Sequence, residues 1–267
     1  MRNARTPPPT GGGPVVPELE LVVPAYNEAA SIPALAGRAA EAWSSAGIAP
    51  GRFALVIVDN GSTDGTDAAL DAVLSGPAAA WVRAVRVHPN RGYGGGLWAG
   101  LATTTAPLVG WSHADLQCDP ADAARAVEVL RTFPLRTLVK GRRRGRALRD
   151  VAVSRGLDLL ARGLLDLRAW DVNAQPKVFP RDLLAHLAAP PSDFAFDLYV
   201  LHRAAAAGYV VREIEVSFPP RAHGVSRWAA TLAGRRRTIA AMARYVVRLS
   251  LSEGRLRALA PLAGSAR

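Results

Sequence analysis

Residues 53–58 read Phe53-Ala54-Leu55-Val56-Ile57-Val58, an apolar run with no residue left over to face water. A strand with one wet face alternates polar and apolar residues. A run like this belongs in a parallel sheet covered by helices on both sides. It ends in Asp59-Asn60-Gly61-Ser62-Thr63-Asp64-Gly65, and a helical stretch follows over 66–74. The same order recurs through the first half of the chain. A strand at 19–23 leads into Ala25-Tyr26-Asn27-Glu28, then a helix over 31–45 with Ser31 and Pro33 at its start. A strand at 82–87 leads into His88-Pro89-Asn90-Arg91-Gly92 and a helix over 94–102. A strand at 108–111 leads into residues 113–117 and a helix ending near 131, with Asp119 as its cap and Pro120 in its first position. A fifth strand is expected at 137–140. This alternation predicts an α/β protein with a mostly parallel sheet flanked by helices. Ligands of such sheets bind beyond the carboxyl ends of the strands, where these polar clusters fall.

The second half is less regular. Helices are expected over 150–167, 196–207 and 226–249, and a strand over 210–218. Residues 171–179 read as a strand or loop returning to the site. The last helix carries an apolar stripe of Leu232, Ile239, Met242, Val246 and Leu249, with Arg237, Arg244 and Arg248 elsewhere on its surface. Residues 1–17, with Pro7-Pro8-Pro9 and Gly11-Gly12-Gly13, lack the apolar core of a signal peptide and read as a disordered tail. The expected organisation is this tail, one domain over 18–228, and a basic helical extension over 229–267.

A net charge of +11 on 267 residues calls for an anionic partner: nucleotide, lipid phosphate, membrane surface or nucleic acid. Lys140 and Lys177 are the only lysines, so the excess is arginine, which binds phosphate bidentately. Scarce lysine, and few aromatics among the arginines, weaken a nucleic-acid-binding reading, and no nucleic acid is expected. The single cysteine, Cys118, excludes an intrachain disulfide and fits a reducing compartment. No apolar stretch reaches the ~18–20 residues of a spanning helix.

The segment Trp111-Ser112-His113-Ala114-Asp115-Leu116-Gln117-Cys118-Asp119-Pro120 carries the most chemistry. On an extended chain alternate residues share a side, so His113, Asp115 and Gln117 can converge at the strand's end. Carboxylate, amide oxygen and imidazole suit Mg²⁺ or Mn²⁺. Asp and Gln after a strand are also ordinary turn residues. The glycines at 92, 94, 95 and 96 permit close approach to a ligand, or make a tight turn. Asp64 either contacts a ligand or caps the next helix.

Together these clusters resemble glycosyltransferase family 2, which has the Rossmann-like GT-A fold. Pro24-Ala25-Tyr26-Asn27-Glu28, Val58-Asp59-Asn60-Gly61-Ser62-Thr63-Asp64-Gly65-Thr66 and Asn90-Arg91-Gly92-Tyr93-Gly94-Gly95 are similar to its first three strand-end signatures. Ala114-Asp115-Leu116-Gln117 resembles the metal motif of the branch with dolichyl- and polyprenyl-phosphate sugar synthases. The resemblance runs over about 19–228. It implies that Pro24, Ala25, Tyr26, Glu28, Asp59, Ser62, Asn90, Gly92 and Ala114 bind the nucleotide sugar, UDP- or GDP-linked. Asp115, Gln117 and His113 are the implied metal ligands, for Mn²⁺ or Mg²⁺. His113 departs from the family's usual aspartate. As a neutral imidazole it suits Mn²⁺ better than Mg²⁺, and it can instead contact ribose or face away.

Lys140-Gly141-Arg142-Arg143-Arg144-Gly145-Arg146 reads as too basic and glycine-rich to be rigid without a ligand. Arg221-Ala222-His223-Gly224-Val225-Ser226-Arg227 resembles the synthases' Arg-x-x-Gly-x-Ser-Lys element. Through the resemblance Arg142, Arg155, Arg221 and Arg227 are expected to hold acceptor phosphate or donor pyrophosphate, while Arg143, Arg144 and Arg146 read as solvated surface. Phe194-Ala195-Phe196-Asp197-Leu198 is similar to the segment that supplies a carboxylate near the acceptor. Asp197 is the expected catalytic base beside the metal-binding Asp115, with Asp193 second or only a helix cap. The expected activity is that of an inverting glycosyltransferase using a polyprenyl phosphate, in the cytoplasm and peripheral on the inner membrane surface. The alternatives are a soluble glycosyltransferase acting on a hydroxyl of a small metabolite or glycan, and an inactive nucleotide-sugar binder.

Overall fold

The computed structural model describes residues 16–145, 148–219 and 232–252. In chain order the first half runs β1 (Leu19–Ala25), α1 (Ser31–Ser45), β2 (Phe53–Asn60), α2 (Thr66–Leu74), β3 (Val82–Val87), α3 (Gly92–Leu101), β4 (Leu108–Trp111) and α4 (Pro120–Thr132). The second half runs β5 (Thr137–Arg144), α5 (Leu148–Leu165), β6 (Lys177–Pro180), α6 (Phe196–Ala206), β7 (Val210–Ser217) and α7 (Leu232–Ser252). The seven strands form one sheet in the order β3-β2-β1-β4-β6-β5-β7. Only β6 runs against its neighbours; the other pairs are parallel.

The apolar run in β2 does what its composition demands. Leu55 and Ile57 pack with Ile32 and Leu35 of α1 and Val127 and Leu130 of α4. Val56 and Val58 pack on the opposite face with Leu97 and Leu101 of α3 and with Phe196 and Val200 of α6. Each such side chain contributes roughly 1.5–3 kcal/mol when fully buried. Asp119 caps α4 as its sequence implied: its Oδ1 accepts from Ala121 N at 2.9 Å, with Pro120 behind it.

Several elements differ from expectation; α5 is shifted two residues toward the N-terminus, and α7 runs on to Ser252. β5 continues four residues past 140, through Arg142, Arg143 and Arg144. Pairing with β7 orders them without a ligand, since Arg142 lies opposite Glu215 and Arg144 pairs with the Glu215 carboxylate. The returning segment 171–179 becomes a strand only at Lys177. α3 begins at Gly92, two residues early. Among the described residues no helix is long and apolar enough to cross a membrane. Residues 1–15, most of the expected tail, lie outside the described ones, as do 220–231.

Candidate active site at the carboxyl edge of the sheet

β1 has β2 on one side and β4 on the other, so the strand order reverses there, and ligands of such sheets bind in the crevice beyond the strand ends at that point. The loops after β1 and β2 are laced together there. Asn27 N donates to Ser62 Oγ at 3.0 Å, Thr63 N to Asn27 Oδ1 at 2.8 Å, and Glu28 N to Thr66 Oγ1 at 2.9 Å. Asp59, at the end of β2, is buried, and its Oδ1 accepts from Ser62 N at 3.0 Å. Pro24 and Ala25 end β1, and Tyr26 begins the loop beyond it. Ser62 therefore stiffens the crevice through Asn27. Asp64 closes the turn into α2, accepting from Thr66 N at 2.9 Å and from Thr66 Oγ1, and ties it to the loop after β1 by accepting from Ala29 N at 3.3 Å.

The glycines after β3 approach the chain's own backbone. Gly92 has φ +77°, and a Cβ there would lie 2.5 Å from Ser192 O; one on Gly94 would collide with Pro191 O. Gly94 N donates to Ser192 O at 2.8 Å. Asn90 Oδ1 accepts from Gly92 N at 2.8 Å, so Asn90 and Gly92 shape the turn into α3 and seat it on the loop before α6.

After β4, Ala114 and Asp115 are buried and His113 and Gln117 are half-buried. Asp115 Oδ1 accepts from Gln117 N at 3.1 Å, and Gln117 Nε2 donates to Pro219 O at 2.9 Å. Burial pushes the His113 imidazole below its usual range, with Lys177 and Arg143 adding to the effect, while Asp115 and Asp197 oppose it. The neutral ring therefore dominates near pH 7. No group of three or more His, Cys, Asp or Glu able to hold a metal occurs among the described residues. The donor set here is one carboxylate, one neutral imidazole and one amide. That combination fits Mn²⁺, and Mg²⁺ less well. Beside it the Cys118 thiol is buried and pushed up to about 12, which makes it inert.

Behind His113 lies a closed polar cluster. Asp197 is 2% exposed. Its Oδ1 accepts from Lys177 Nζ at 2.5 Å, Gln175 Nε2 at 2.8 Å and Trp111 Nε1 at 3.2 Å. Gln175 Nε2 also reaches Tyr93 OH at 3.1 Å. The Tyr93 ring stacks on Phe194 at 5.0 Å and lies 6.0 Å from the His113 ring. Desolvation pulls the Lys177 ammonium below its usual range, and the Asp197 carboxylate opposes that fall. Asp193, the second candidate, accepts from Ala195 N at 2.9 Å in the turn just before α6.

Arg143 is the residue that the sequence reading set aside. Its side chain is 12% exposed. Its backbone N and Nε donate to Asp171 Oδ2 at 3.1 and 2.9 Å, its Nη2 pairs with Oδ1, and its guanidinium lies 4.9 Å from the Phe218 ring centroid. Its charge acts on both His113 and Cys118. Asp171 is held in turn by its own N–H, which donates to Asp158 Oδ2 at 2.7 Å. Arg142, expected to hold phosphate, is exposed, with Nη1 3.9 Å from Glu213 Oε2. Arg155 is exposed on α5. Arg221 and Arg227 lie outside the described residues. Nothing in the run of arginines distinguishes Arg143 from its neighbours; the signal is Asp171, 28 residues on.

Comparison with known proteins bears directly on this crevice. A glycosyl transferase family 2 model matches residues 20–149, which contain all four strand-end clusters. An uncharacterised glycosyltransferase of Mycobacterium tuberculosis is 34% identical over 218 residues, covering 80% of this chain and 91% of that protein. The chain belongs to glycosyltransferase family 2. It is a glycosyltransferase by that membership. Dodecaprenyl-phosphate galacturonate synthase of Rhizobium johnstonii is 30% identical over 79% of this chain and 62% of the synthase. The fold of this family 2 chain is also that of M. tuberculosis glucosyl-3-phosphoglycerate synthase, solved with Mn²⁺, UDP and glucosyl-3-phosphoglycerate. The TM-score is 0.62 at 23% identity, over 88% of this chain and 79% of the synthase. The GT-A architecture expected from the sequence is the one observed.

Proposed function

We propose that this glycosyltransferase moves a sugar, with inversion, from a UDP- or GDP-linked donor to a polyprenyl phosphate. The observation that carries the choice of acceptor is the engagement of Asp197. A hydroxyl acceptor needs a carboxylate or imidazole to take its proton. Asp197 is 2% exposed and its Oδ1 already accepts from Lys177, Gln175 and Trp111. A phosphate monoester is already anionic near pH 7 and needs no base. Its oxygen attacks the anomeric carbon, that carbon's bond to the diphosphate breaks, and nucleoside diphosphate leaves. The name of the Rhizobium relative supports an acceptor of this kind.

In this reading Pro24, Ala25, Tyr26, Glu28 and Asp59 hold the nucleoside, within walls that Ser62, Asn90 and Gly92 shape. Asp115, with His113 and Gln117, would hold a divalent cation, Mn²⁺ in preference to Mg²⁺. Such an ion offsets charge on the diphosphate. Arg143, fixed by Asp171, presents a guanidinium to acceptor phosphate or donor pyrophosphate, the role the sequence suggested for Arg142. Asp197 holds Tyr93, Gln175 and Lys177 in register behind His113. The enzyme works at the cytoplasmic face of a membrane, where its acceptor lies.

Thermal unfolding tests the nucleotide assignment. Ligand at 100 times its Kd stabilises by ~2.7 kcal/mol, which is several degrees in Tm. Millimolar UDP or GDP with Mn²⁺ is expected to raise Tm by that order. If neither moves it, the assignment is wrong.

A further inference from the structure

α7 lies along α5, and Met242, Val246 and Ser250, four residues apart, are buried against the rest of the molecule. The opposite face exposes Arg236, Arg237, Arg244 and Arg248. Among them Val247 is 38% and Leu251 50% exposed. At 100° per residue, Val247 and Leu251 stack at i, i+4, and Arg244 and Arg248 form the adjacent row. No acidic residue occurs between 232 and 252. The outer face of α7 is thus an apolar row bordered by guanidinium groups, with no carboxylate on the described helix to neutralise them.

We infer that this face of α7 docks in the plane of an anionic phospholipid surface. An anionic lipid surface complements this face on both counts: the guanidinium groups pair with lipid phosphates while the stems and the valine–leucine row enter the headgroup boundary. Each arginine near such a surface strengthens binding about fivefold. The inference deepens the polyprenyl-phosphate reading, since it states how the crevice is brought to a lipid acceptor. It rests on that reading only for its purpose.

The test is sedimentation of the full chain with phosphatidylcholine vesicles, with and without about one-third phosphatidylglycerol. The chain is expected to bind the anionic vesicles and to leave them in high salt. The variant R236Q/R237Q/R244Q/R248Q is expected to bind at least tenfold more weakly, and V247S/L251S severalfold more weakly. Both are expected to keep the wild-type Tm and the wild-type rise in Tm with nucleotide. Three results would overturn the proposal. The wild type could ignore the anionic lipid. The arginine variant could bind as the wild type does. Or light scattering could show that α7 covers itself in a dimer that the same substitutions dissociate. Transfer to detergent-solubilised polyprenyl phosphate without vesicle binding would refute this inference alone. Vesicle binding without transfer to any polyprenyl phosphate would refute the acceptor assignment alone.

Discussion

Asp115 is the residue on which the chemistry is expected to turn, because it is the one carboxylate in the proposed metal set. Asp115→Ala should lose about 10³-fold or more in turnover, since a metal supplies several kcal/mol of charge stabilisation. Circular dichroism should be unchanged. A variant with near wild-type turnover would remove Asp115 from the site. His113→Asp should shift the ratio of Mn²⁺- to Mg²⁺-supported activity toward Mg²⁺, because carboxylate is the better Mg²⁺ ligand. An unchanged ratio would show that His113 does not touch the metal. For Arg143 the informative change is at its partner. Asp171 has φ +50°, a conformation that asparagine tolerates, so Asp171→Asn keeps the backbone while loosening the guanidinium. It should cost roughly 10–100-fold in kcat/KM, the range for groups that orient a functional side chain. The loss should appear mainly in KM for the phosphate-bearing substrate. A lowered Tm with unchanged kinetics would make the pair merely structural. The segment from His113 to Gln117 stands out in the sequence because its signal is local, residue types at fixed spacing after an apolar strand, and its use as a metal site is what the Asp115 and His113 variants test. The Arg143–Asp171 pair does not stand out, because an arginine run carries no local mark of which guanidinium meets a carboxylate 28 residues away.

At the scale of elements, α4 carries a titration that can be read in stability. Asp122 lies in its first turn, buried, with Arg125 Nη1 at 2.9 Å. Burial raises its carboxyl to about 6, with Asp119 adding and Arg125 opposing. The folded state therefore prefers the protonated form. That contribution is complete below the unfolded value near 4 and is lost as pH rises through about 6. Asp122→Asn should thus be more stable than the wild type at pH 8, by ~1–2 kcal/mol after allowing for solvent screening, and the difference should vanish near pH 4. Tm measured across that range would show it; a gap independent of pH would assign the effect to packing. The elements themselves were legible wherever apolar runs stood against polar clusters, as in β1 to β4 and their helices. The end of β5 was not, because Arg142 to Arg144 have no apolar character. Their strand exists through pairing with β7, which begins 66 residues after Arg144. The reversal of β6 was equally hidden, since periodicity marks a strand without giving its direction.

At the scale of the whole molecule, the proposed nucleotide site lies at the carboxyl edge of the sheet, and the basic helix α7 carries the proposed lipid-docking face. The sequence made the carboxyl edge of the sheet visible, since each of the four polar clusters in the first half followed a strand. It left open whether Asp197 was available as a base, because three donors from β4, β6 and the loop before β6 converge on it only in the folded chain. The proposed choice of acceptor rests on that carboxylate. The most direct measurement is transfer of labelled sugar from the donor that stabilises the enzyme, comparing a polyprenyl phosphate with the matching polyprenol and with small hydroxyl acceptors, in wild type and Asp197→Asn. The account predicts product on the phosphate alone, and a variant whose loss tracks its lowered Tm. Efficient transfer to a hydroxyl, with a loss of about 10²–10⁴-fold in an Asp197→Asn variant of unchanged stability, is what a general base would give and would contradict it.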